Sequence, residues 1–134
     1  MERNVFSNRA GFTIIEFLVA IVIMMVGLLA LLEMVNVALK QNLTNQLRNE
    51  AVMIADGRMA LEMTKPFALI STNATPNTAL VSRNVNLAQK TFTVTKSGTL
   101  VSNTTKSVDV SVAWTYKNTP STHSIRSLIS SFGQ

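Results

Sequence analysis

The chain has 134 residues, a formal net charge of +5 and no cysteine. That length allows one globular domain at most once an apolar segment is set aside, and without cysteine there is no disulfide framework and no thiolate metal site. Beyond residue 64 the only histidine is His123 and the only carboxylate is Asp109, which excludes a hydrolytic triad, a carboxylate pair or a zinc centre there and calls for no metal, cofactor or catalytic residue.

In chain order, the first eleven residues are polar and carry Arg3 and Arg9 against Glu2. Phe12 to Leu32 then form a run of 21 residues with a single charge, Glu16. As a helix rising about 1.5 Å per residue, this run reaches about 32 Å, enough to cross a bilayer core. The arginines before it put the N-terminus on the cytoplasmic side and the rest of the chain across the membrane. A secretory signal cut after the apolar run needs small residues there, and Leu31-Leu32-Glu33-Met34-Val35 offers none. A carboxylate on a membrane helix costs about 2.5–3.5 kcal/mol on insertion scales. Its own apolar segment supplies no partner, so Glu16 is expected to find one elsewhere.

The helical pattern continues past the membrane. Leu32, Val35, Leu39, Leu43, Leu47, Ala51, Ile54 and Leu61 recur at steps of three to four, while Lys40, Asn42, Asn45, Asn49, Asp56 and Glu62 mark the other face. Pro66 supplies the stop, so one helix is predicted over about residues 12–64. Residues 71–78, with Pro76, read as a loop. Phe92 and Val94 alternate with threonines, and Ser97-Gly98 reads as a turn. Val108, Val110, Val112, Trp114 and Tyr116 form the clearest strand; residues 118–121 turn the chain and His123 to Ile129 return it. The expected architecture is α+β: a long helix and a three- or four-stranded antiparallel sheet whose apolar face covers the stripe from Leu39 to Leu61. Phe92 and Trp114 belong to that core, and His123 to the strand surface. Seven basic residues from Lys65 to Arg126 face Asp109 alone, and their even spacing reads as a solvated surface.

The string Gly11-Phe12-Thr13-Ile14-Ile15-Glu16 ahead of the apolar run resembles the class III signal of type IV prepilins and type II secretion pseudopilins. The resemblance implies a type IV pilin-like fold and a leader, residues 1–11, cut after Gly11 by a prepilin peptidase. It implies that Phe12 becomes the N-methylated first residue and that Glu16 serves subunit assembly. It also implies an assembly helix over 12–39 and a head over 40–134, the latter made of an amphipathic helix at 40–64 and a β-rich region at 65–134. The new amine would lie four residues from Glu16, and in a stack of such helices Glu16 would pair with the amine of Phe12 on a neighbour, fixing register. Ala55-Asp56-Gly57-Arg58-Met59, and Val108 to Trp114 with its returning strand, resemble PilV-type minor pilins. Departures from the major subunits are the lack of a proline in the outer part of the apolar helix, of a C-terminal disulfide and of paired acids for calcium. The implied partners are major and minor pilins, the peptidase, the inner-membrane assembly platform and, before assembly, lipid. The implied location is a single-pass inner-membrane protein that passes to an extracellular fibre. A periplasmic type II secretion pseudopilin and a pilin binding nucleic acid through its basic head stand as alternatives.

Overall fold

The computed structural model describes residues 11–72 and 75–131; the leader reading therefore falls, apart from Gly11, outside the described residues. Two compact units divide the chain, Met1–Lys40 and Gln41–Gln134. Helix α1, Ile14–Met63, contributes to both. No proline interrupts it, and a capping box starts it: the Thr13 backbone N–H and hydroxyl donate to Glu16 Oε2 at 2.9 and 3.0 Å, and the Glu16 N–H donates to Thr13 Oγ1 at 3.3 Å. It ends where the Thr64 hydroxyl folds back on the Leu61 carbonyl at 2.9 Å and Pro66 opens a single 3-10 turn, Phe67–Leu69.

In the first unit every residue of α1 is exposed to solvent, Phe17, Leu18, Val22, Leu29 and Leu39 among them. α1 is long and apolar enough to cross a membrane.

In the second unit, the residues of α1 from Gln41 pack with four strands: β1 Asn77–Val85, β2 Ala88–Ser102, β3 Thr105–Tyr116 and β4 Thr119–Ser130. The sheet is an antiparallel meander in the order β1-β2-β3-β4. Alternation along the strands buries Phe92, Val94, Val108, Val110, Val112, Trp114 and Ile129 in one cluster with Leu47, Ala51, Ile54, Ala55 and Met59 of α1. The rings of Phe92 and Trp114 meet at 6.2 Å, tilted by 50°.

Four expectations need correcting. Leu61 is 58% exposed, whereas Met59 and Glu62 are buried; the contact line drifts around the helix as it crosses a twisted sheet. Ser97-Gly98 is no turn, because β2 runs straight through it. Gly98 is required for another reason: a Cβ there would lie far inside contact distance of the Ser71 carbonyl oxygen. The stretch read as a loop to residue 78 gives way to β1 at Asn77. Finally, β4 starts at Thr119, so the turn before it is only Lys117-Asn118. That turn and Asn86-Leu87 both hold two residues at positive φ, 47° and 62° in one, 49° and 64° in the other, the geometry of a type I′ hairpin. Asn accepts this backbone; a leucine there costs about 1–2 kcal/mol.

Candidate functional site: the start of α1 and its carboxylate

Gly11, Phe12 and Thr13 precede the helix without regular structure, and all three are exposed. A side chain on Gly11 would meet nothing within 4 Å, so the Gly11-Phe12 peptide lies open to another molecule. One turn on, Glu16 stands beside Ile15, Val19, Ala20 and Ile23, which line a shallow apolar groove along the helix. Its carboxylate has a partner that sequence reasoning missed: the backbone N–H and hydroxyl of Thr13 both reach Oε2. The signal was present as Thr-x-x-Glu, the spacing of a capping box. Only one of the carboxylate's two oxygens is engaged in these bonds, so Oε1 remains available for a further donor.

The head holds a second, structural constellation. Glu62 accepts from Lys65 Nζ at 2.6 Å and from Lys96 Nζ at 2.9 Å. Burial pushes its carboxyl up, but the hydrogen bonds and charges of the two lysines outweigh this and hold it below the usual glutamate range. Lys106 Nζ donates to the Phe67 and Ile70 carbonyls at 2.7 and 2.9 Å and lies over the Phe67 ring. Arg126 Nε reaches Asp109 Oδ2 at 2.6 Å. The lysines read as a uniformly solvated surface thus include two, Lys96 and Lys106, that clamp the end of α1 and the segment after it. His123 is half-buried beside Val112 in the β3–β4 register, with its Nε2 buried and unbonded, rather than fully on the surface. Among the described residues, no group of three His, Asp or Glu side chains could hold a metal ion.

Set against known families, residues 6–32 match the prokaryotic N-terminal methylation motif. This is the class III signal of type IV pilins; over these 27 residues it supports a type IV pilin or pseudopilin precursor and indicates a structural protein. The α+β architecture, one long apolar N-terminal helix followed by a four-stranded antiparallel sheet, is type IV pilin-like. The motif implies contact with other pilins and processing by a prepilin peptidase, and with the apolar helix it fits a single-pass inner-membrane anchor. No curated protein and no solved structure matches the chain.

Proposed function

We propose that the protein is a non-enzymatic minor pilin of a type IV pilus, cut after Gly11, methylated on Phe12 and joined to other subunits through residues 12–39, with residues 40–134 as its head. The observation that carries this reading is the conjunction at the start of α1. The exposed apolar part of α1, up to Lys40, begins with one carboxylate, Glu16, and an open Gly11-Phe12 peptide stands directly before it. In a bundle of such helices the apolar surfaces cover one another, but lipid does so nearly as well. A charge pair between Glu16 and the amine of a neighbouring Phe12 gives the bundle one favoured register, since any slip leaves both charges uncompensated. The PilV-type likeness of Ala55 to Met59 and of β3 with β4 favours a minor subunit that initiates or tips the fibre after assembly at the inner-membrane platform. A type II secretion pseudopilin, ending in the periplasm, is the second reading, and it shares the same physics.

Nucleic-acid binding by the head is disfavoured. Lys65, Lys96, Lys106 and Arg126 are engaged within the protein, and Phe92 and Trp114 are buried where stacking would need them exposed. The test of the proposal is the mass of the N-terminal peptide from cells that contain a prepilin peptidase. It should begin at Phe12 with one added methyl group, and Gly11→Val should abolish the cut. A chain that keeps Met1, or begins beyond Leu32, overturns the proposal.

A further inference from the structure

The β1–β2 and β3–β4 turns lie at one end of the sheet and the β2–β3 turn, Asn103-Thr104, at the other. β1 and β2 pair from Asn77↔Lys96 to Val85↔Ala88 at the Asn86-Leu87 turn. Extending the Thr93↔Ala113 register brings Tyr116, beside the Lys117-Asn118 turn, level with Lys90. This is also the end at which α1 comes into the head. Glu62, near the helix C-terminus, is tied to Lys96 at 2.9 Å, and the chain after it is held toward the β2–β3 turn, where Lys106 Nζ donates to the Phe67 and Ile70 carbonyls, so the earlier turns of α1 in the second unit lie toward the other end. From Lys96 to Ala88 the strand covers about 26 Å, and from Glu62 back to Leu43 the helix covers about 29 Å.

Three features at that end bear on what it rests against, and Lys117 there lies over the Tyr116 ring at 5.6 Å. Arg83 and Lys90 are direct cross-strand partners, an arrangement in which like charges repel. Neither they nor Lys117 make an ion pair among the described residues; Glu50 of α1 makes none, and Glu62 and Asp109 are engaged elsewhere. Leu87, on the turn between Arg83 and Lys90, is fully exposed and holds a positive φ that glycine would adopt without strain.

We propose that this end of the head rests on the surface of an anionic phospholipid bilayer, with Arg83, Lys90 and Lys117 on headgroup phosphates and Leu87 inserted beneath them. The occupant is lipid because the chain's own apolar span precedes Gln41, which keeps a bilayer close at hand. Cations around one apolar tip also suit charge layered over hydrocarbon. The apolar span holds the subunit in the membrane; the cationic end holds the head against it until the subunit is extracted into a fibre. This inference rests on the reading that Phe12–Leu39 crosses the membrane.

The absence of cysteine permits a clean test with the full chain. Leu87→Cys, and Leu100→Cys near the opposite end, are each labelled with a fluorophore and reconstituted into phosphatidylcholine vesicles with or without phosphatidylglycerol. Resistance to carbonate extraction scores insertion separately. The label at 87 should be shielded from an aqueous quencher only with phosphatidylglycerol at low salt, while the label at 100 stays open. Each of Arg83→Gln, Lys90→Gln and Lys117→Gln should weaken the shielded state about five-fold. An inserted chain whose label at 87 is quenched alike in both vesicles, or whose two labels are shielded alike, overturns the proposal. A chain stripped by carbonate overturns the spanning reading and this one with it.

Discussion

The carboxylate of Glu62 accepts hydrogen bonds from Lys65 and Lys96 while only 7% of the residue stays exposed. Its carboxyl lies below the ordinary range in the folded protein. The stabilisation is therefore present at pH values above the unfolded glutamate pKa, about 4.3, and fades as pH falls through the lower folded value. Urea unfolding of the detergent-solubilised chain should show wild-type stability dropping from pH 6 to pH 3 more steeply than that of Glu62→Gln, which has no carboxyl to titrate. Parallel curves would mean that the pair is not formed in solution. Gly98 is the other residue on which a local structure depends. Any Cβ there meets the Ser71 carbonyl oxygen, so Gly98→Ala must displace residues 71–72 or the centre of β2. A loss of about 1–3 kcal/mol is expected, read as a lower unfolding midpoint, with Gly57→Ala as the control because nothing lies within 4 Å of its Cβ.

Between elements, the contact line of α1 on the sheet runs through Leu47, Ala51, Ile54, Ala55 and Met59. Met59→Ala should leave a cavity and cost about 2–5 kcal/mol, while Leu61→Ala, at an exposed position, should stay within about 0.5 kcal/mol. Equal effects at both sites would place the helix wrongly on the sheet. Periodicity predicted the opposite weight at Leu61, since it carries no information about the twist of a sheet not yet in view. The strand from Val108 to Tyr116 was readable because five apolar residues alternate without a break. β1 was not, because Arg83 interrupts its inward-facing positions and its outward face is polar apart from Leu80. Gly98 carried a genuine signal that was assigned to a turn. The close approach it permits comes from Ser71, 27 residues away, and no local rule reports that. The helix start carries its own local signal, Thr13-x-x-Glu16 within one turn, but the membrane reading of Glu16 looks past this nearest partner.

For the molecule as a whole, Glu16 can serve two purposes, and a single isosteric change separates them. Its bonds to Thr13 cap α1, a local role worth about 1 kcal/mol. A glutamine at this position can fill the same place in a capping box but brings no charge to a neighbour's amine. If Glu16 acts only as a cap, Glu16→Gln should enter fibres like the wild type, and Glu16→Val should lose helix stability and little else. If it sets register, both variants should insert in the membrane and be cut after Gly11, because neither change touches the junction, and both should remain in the membrane fraction when fibres are sheared from cells. The uncharged variants insert at lower cost than the wild type, so their absence from fibres could not be blamed on failed insertion. Thr13→Val completes the set: it removes the hydroxyl but keeps the backbone N–H and the charge, and it should be incorporated far better than Glu16→Gln. The measurement is each variant's partition between membrane and sheared-fibre fractions, with N-terminal processing scored in the same samples. Incorporation of Glu16→Gln equal to the wild type would reduce Glu16 to a cap and leave the register of this subunit to apolar packing alone.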